Sequence, residues 1–238
     1  MSIREDILSR YRALYKSVQA ASGAWGGCEV MPVTKTVDAE RILCLKDAGV
    51  TRIGENRVQE AMEKREALLN AFDFHIIGRL QTNKAKYVAS FASCVQSLDR
   101  IELAEALQKA LVREKRTLEA FIEINIGKDP AKAGVFKEDA HAFLKSLRAY
   151  ENLKITGLMT VAPIVENPED AREYFKEMRL LFDDMRHAPG GEHLVNLSMG
   201  MSKDCLVAAE EGATIVRVGS AIFGARTYPP AKEQTIIG

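Results

Sequence analysis

The sequence predicts an α/β protein of the (β/α)8 TIM-barrel class. Short β-prone runs alternate with longer amphipathic stretches from one end of the chain to the other, and the runs number eight. No long linker or low-complexity block interrupts them, so the 238 residues read as one domain, 1–238, with 229–238 as a C-terminal tail. A doubly wound open sheet is the other architecture that the same alternation allows.

The first segment, "MSIREDILSRYRALYKSV", repeats apolar residues at Ile3, Ile7, Leu8, Tyr11, Leu14, Tyr15 and Val18, the period of a packed helix rather than a secretory leader. The eight runs follow: "CEVMPVT" (28–34), "TRIG" (51–54), "FDFHIIG" (72–78), "SCVQS" (93–97), "EAFIEINI" (119–126), "KITGLMT" (154–160), "HLVNLS" (193–198) and "TIVRVG" (214–219). Helical stretches lie between them at 37–48, 56–70, 99–114, 137–149, 168–186 and 202–211. Asp38, Asp99 and Asn167 (before Pro168) stand where N-caps belong. Gly49, Gly78, Gly157, Gly212 and Gly219 punctuate the junctions.

Lys+Arg and Asp+Glu balance at 33 each, so no global field draws the chain to nucleic acid or to an anionic membrane. No apolar run approaches the roughly 18–20 residues of a membrane span. Cys28, Cys44, Cys94 and Cys205 lie far apart without a CxxC pair, which argues against a zinc site or a disulfide framework and for a reducing cytoplasm. His75, alone in an apolar strand, reads as a core histidine, and Met159, Met199 and Met201 read as packing; no metal site is expected.

In such a barrel the chemistry comes from the C-terminal strand ends and the loops after them. "LSMGMSKD" (197–204) and "RVGSAIFG" (217–224) each follow an apolar strand with small residues and open a helix, which exposes backbone N–H groups to an anion. Ser198, Met199, Gly200, Gly219 and Ser220 are therefore candidates for a phosphate cradle, although ordinary capping by Ser and Gly would look the same. Arg217 alternates with Val216 and Val218 and should face the barrel mouth, where either a carboxylate or a ligand atom could meet it. Lys35 belongs to the same mouth, because the first strand closes against the eighth. It is either a solvated strand terminus or an imine-forming amine, whose neutral form burial and a nearby cation would favour. Asn56 is a ligand-facing candidate, Glu55 and Gln59 weaker ones; a capped, solvated helix start would present the same residues.

Together "VTKT" (33–36), "RIGENRVQE" (52–60), "HIIGRLQTNK" (75–84), "GLMTVAP" (157–163), "LSMGMSKD" and "VRVGSAIFGAR" (216–226) resemble one family, the YggS/PROSC-type pyridoxal 5′-phosphate (PLP) homeostasis proteins, relatives of the alanine racemase barrel domain. The resemblance implies a single barrel of the alanine racemase N-terminal type without the second β-domain. It also implies PLP held on Lys35 as a covalent aldimine. Ser198, Met199, Gly200, Gly219 and Ser220 would take the phosphate, Arg217 would face the pyridine nitrogen, and Asn56 would lie near the ring. Thr34 and Arg57 stand where the family often has Ser and Tyr, and Arg57 changes the charge of the mouth.

The function implied is intracellular PLP buffering or delivery by a cytoplasmic monomer, without catalytic turnover and with PLP-dependent apo-enzymes as possible recipients. A PLP-dependent amino-acid racemase is the alternative, and a Schiff-base aldolase acting on a sugar phosphate would use the same lysine. Arg217 weighs against racemisation, since a permanent cation keeps the ring nitrogen unprotonated and the electron sink weak.

Overall fold

The computed structural model describes residues 2–68 and 70–224. The expected tail at 229–238 lies outside them. Eight parallel strands are ordered β1-β8-β7-β6-β5-β4-β3-β2. They are β1 (Glu29–Pro32), β2 (Arg52–Glu55), β3 (Asp73–Ile76), β4 (Cys94–Leu98), β5 (Leu118–Ile124), β6 (Leu153–Thr160), β7 (Asn196–Ser198) and β8 (Ile215–Val218). β1 pairs with β8 over four positions, including Met31 opposite Arg217. The remaining seam, between β1 and β2, closes through one parallel bridge from Val33 to Gly54. The result is a closed (β/α)8 barrel in which each predicted strand occupies its expected place.

Period-two alternation divides the strand side chains between two cores. Met31, Cys94, Phe121, Met159 and Ile215 form a small cluster of their own, the filling of the barrel. Their strand neighbours, among them Val30, Ile53, Phe74, Val95, Leu158 and Val216, belong to the larger layer between sheet and helices. Phe121 is the bulkiest residue of the inner cluster, and His75 meets its ring edge-on at 6.3 Å between centroids.

The surrounding helices are α1 (Ile3–Ala21), α2 (Ala39–Leu43), α3 (Val58–Ala67), α4 (Ala85–Phe91), α5 (Ile101–Glu114), α6 (Ala140–Leu147), α7 (Arg172–Arg186), α8 (Cys205–Glu210) and α9 (Ser220–Phe223). α1 opens with a reciprocal cap between Ser2 and Glu5 and buries Ile7, Leu8, Tyr11 and Val18, while Ile3 and Tyr15 of its apolar stripe stay exposed. Asp38 and Asn167 cap as expected, accepting from Arg41 N at 2.9 Å and Glu169 N at 3.2 Å.

Three expectations need correction. Asp99 does not cap α5: Arg100 takes the N-cap position, and the Asp99 carboxylate pairs with the Arg100 guanidinium instead. α4 lies outside the expected helical stretches, because it is only about two turns long and follows a strand-end loop rich in polar residues, whereas α9 is the short helix that "RVGSAIFG" was expected to open. The 37–48 and 137–149 stretches divide between short α-helix and 3-10 turns, at Cys44–Ala48 and Lys137–Asp139.

Since the ring of Phe121 fills the barrel centre, Phe121→Ala should cost about 3–5 kcal/mol. A urea unfolding midpoint displaced to lower denaturant at unchanged slope is the expected reading.

Candidate functional site at the barrel mouth

The strand ends bring Lys35, Asn56, Arg217, Gly219 and Ser220 onto one pocket of about 410 Å3. Lys35 lies two residues after Val33, whose N–H bonds to Val218 O at 2.8 Å, so the lysine is close to the loop that leaves β8. It is half-buried. The far wall is apolar, made by Ile77 from the end of β3 and by Val161–Val165 after β6. The turn Met201–Asp204 closes the remaining side, held by Asp204 Oδ1 accepting from Met201 N at 2.6 Å.

Ser198, Met199 and Gly200 do not line this pocket, and each has a structural task. The Ser198 hydroxyl accepts from Arg217 Nη1 and donates to Gln96 Oε1, both at 2.7 Å, with the residue wholly buried. Met199 is wholly buried in the outer core. Gly200 has φ +88°, and a Cβ there would stand 2.5 Å from Ala208 Cβ. The part of this loop that lines the pocket therefore begins directly after Gly200, at Met201 and Ser202.

Arg217 is 4% exposed and meets no carboxylate within ion-pair distance among the described residues. Its other terminal nitrogen donates to Thr160 O at 2.6 Å. Burial lowers its pKa to about 10, so it remains a cation at neutral pH. The hydrogen bonds continue inward: Gln96 Nε2 donates to His75 Nδ1 at 2.9 Å. His75 is neutral, with burial pulling its pKa down to about 3. The core reading of His75 stands, and Gln96 is a link that the sequence reading passed over. Its polarity in an inward-facing run was the available signal.

The turn carrying Lys35 is clamped from behind. Lys64 Nζ on α3 donates to Thr34 O at 2.5 Å, Glu55 Oε1 at 2.8 Å and Glu60 Oε1 at 2.6 Å. Thr34 Oγ1 also donates to Glu55 Oε1, at 2.5 Å, and Glu60 accepts from Thr36 N. Thr36, the residue after Lys35, has φ +62°. A β-branched residue in that region is strained, at a cost of order 1–3 kcal/mol, and holds there only when its surroundings fix it. Glu55, read as a weak ligand candidate, is thus wholly buried inside this clamp.

On the adjoining β2–β3 pair, Asn56 approaches so closely that a Cβ on Gly78 would lie 2.3 Å from Asn56 O. Asn56 Oδ1 is buried without a hydrogen-bond partner. So is Glu123 Oε2, from the end of β5, which the sequence reading did not single out. Burial foremost, and the charge of Asp99 after it, raise the Glu123 carboxyl to about 7, against the pull of Arg217 and Arg79. Among the described residues no cluster of His, Cys, Asp or Glu could hold a metal ion, and no helix is long and apolar enough to cross a membrane.

A parallel eight-stranded barrel with a sheltered lysine and small-residue loops at its mouth defines a class of small-ligand-binding (β/α)8 proteins. The chain belongs to the alanine racemase N-terminal domain family, whose model matches residues 8–227. It is 40% identical over 216 residues to the pyridoxal phosphate homeostasis protein of Aquifex aeolicus, covering 90% of this chain and 94% of the relative. PipY of Synechococcus elongatus, solved with PLP bound, superposes with a TM-score of 0.81 at 30% identity, over 92% of this chain and 100% of that one. The same protein without PLP gives 0.83 at 31% identity, with the same coverage.

Two outcomes follow from the site. Lys64→Met strands the Glu55 carboxylate without its cation and should destabilise the fold by about 3–5 kcal/mol, readable as a lowered unfolding midpoint. The Glu123 carboxyl holds its proton to higher pH in the folded chain than in the unfolded one, so stability should decline as pH rises from about 4.5 to about 7. Glu123→Gln should flatten that slope and gain about 1–3 kcal/mol at pH 8, measured by urea unfolding at several pH values.

Proposed function

We propose that the mouth pocket binds PLP through Lys35 and that the chain serves PLP homeostasis as a holder of the cofactor rather than as a turnover catalyst. The observation that carries this reading is the pairing of half-buried Lys35 with buried Arg217, which hydrogen-bonds to Ser198 and Thr160, on adjacent strands of one pocket. The pyridoxal phosphate homeostasis protein of Aquifex aeolicus and PLP-bound PipY support it as relatives at 40% and 30% identity.

The residues present fit such a group. Asn56 Oδ1 is a buried acceptor without a partner, and the volume lies within the roughly 300–1,000 Å3 of small-ligand pockets. When bound, PLP supplies an aldehyde that condenses reversibly with primary amines. Lys35 would offer the amine. Gly219 and Ser220, with Ser202 across the pocket, would hold the phosphate by backbone and hydroxyl donors; Ser198, Met199 and Gly200 would support that loop from behind. Arg217 is fixed by Ser198 and Thr160, so it can meet a ring nitrogen only as a donor and cannot take a proton from it. Asn56 would contact the ring region, and the Val161–Val165 wall would shelter its face from water.

Release to PLP-dependent apo-enzymes requires only imine exchange with another amine, which an attachment without strong catalytic activation permits.

Purified protein incubated with PLP should turn yellow, and borohydride followed by peptide mapping should mark Lys35. Lys35→Ala should lose the marked peptide. Protein that stays colourless would sink the binding reading, whereas racemisation of a single-enantiomer amino acid at ordinary enzyme rates would replace the holder by a racemase.

A further inference from the structure

Beside the mouth pocket, and sharing Asn56 with it, lies a second cleft of about 610 Å3 lined by Arg57, Arg79, Lys84 and Arg100 together with Gln59 and Gln81. No carboxylate lines it among the described residues. Its charges are only partly answered. Arg100 pairs with Asp99 and donates to Leu80 O at 2.7 Å, and Lys84 lies 5.6 Å from the Tyr87 ring centroid. Arg79 feels the charge of Glu123 at the end of β5. Arg57 and Arg79 are exposed and make no ion pair within 4.0 Å among the described residues.

The placement of two of these cations runs against helix chemistry. Arg57 is the N-cap residue of α3 and Arg100 that of α5, and neither makes a side-chain cap bond. An N-cap favours Ser, Thr, Asp or Asn, and a cation there is repelled by the positive end of the helix. Two positive helix ends and four basic side chains thus converge on one concavity. Asp99 answers part of the charge at Arg100, whereas Arg57 and Arg79 have no such partner among the described residues, and an anion bound among them would relieve the remaining repulsion.

We propose that this cleft is a second anion site, for the phosphate group of a small molecule, gripped by Arg57 and Arg79 from the neighbouring ends of β2 and β3, with Lys84 and Arg100 completing its basic lining. The concave shape favours a compact phosphate over an extended acidic chain. The site does not depend on what the mouth pocket holds.

The test is a titration of the full chain with inorganic phosphate, followed by heteronuclear NMR. Saturable shifts at the amides of Arg57–Gln59 and Arg79–Thr82 are expected, unchanged in Lys35→Ala and weakened by added salt. Arg57→Gln/Arg79→Gln should lower the affinity about tenfold or more, with Arg57→Lys/Arg79→Lys in between and both folded by circular dichroism. Shifts confined to Gly219 and Ser220, absence of saturation, or equal affinity in the double glutamine variant would overturn the proposal. So would a polyglutamate peptide that shifts these amides where phosphate does not.

Discussion

The β1–β2 seam is the constraint on which the rest of the site depends. Every other strand neighbour in the barrel is joined within the sheet, but this pair meets through a single bridge and the bond from Thr34 N to Gly54 O at 3.0 Å. Lys64 completes the closure by tying the backbone of β1's end to a carboxylate at the end of β2 and another on its own helix. A buried lysine is costly alone, and here three oxygens replace its water. Because Thr36 is bound to the same Glu60, the seam also fixes the left-handed residue after Lys35, so the barrel's closure and the direction of its mouth lysine are one arrangement.

Across the barrel a second set of polar groups solves a similar problem. A guanidinium without a carboxylate must find acceptors, and Arg217 finds a hydroxyl and a carbonyl. The donors then run in one direction, from Arg217 through Ser198 and Gln96 to His75, which only a neutral imidazole can end as acceptor. Each member therefore has a fixed hydrogen-bonding role, and Arg217 is held in place without a carboxylate in ion-pair contact among the described residues.

The strands were legible because their period-two pattern is set by local sequence, and the barrel followed from their number. Much of the site was legible for the same reason: parity and strand ends suffice to bring Lys35, Asn56, Arg217, Gly219 and Ser220 to one mouth. What parity cannot reveal is which hydroxyl is already engaged. Ser198 is taken by Gln96, 102 residues earlier, and the part of its loop that lines the pocket is Met201 and Ser202. Lys64 escaped notice on similar grounds, since Glu60 and Lys64 at i and i+4 look like a solvated helical pair until Glu55 is folded against them. Glu123 differs only in its missing partner, a property no sequence displays.

The mouth is electrostatically lopsided although the chain carries formal net charge +0. On the β1, β7 and β8 side, small residues and apolar walls surround Lys35 and the internally bonded Arg217, and the exposed Lys203 at the rim is accompanied by the Asp204 carboxylate. On the β2, β3 and β4 side, basic groups crowd two helix N-termini. Fields at such a surface are local, reaching about 8 Å at physiological salt. An anion approaching the C-terminal face is consequently drawn first to the exposed basic side, with Asn56 on the boundary between the two clefts. A global charge would have attracted polyanions of every size. A concentrated patch beside a sheltered pocket discriminates by shape as well as sign, which suits small phosphate-bearing molecules better than nucleic acid.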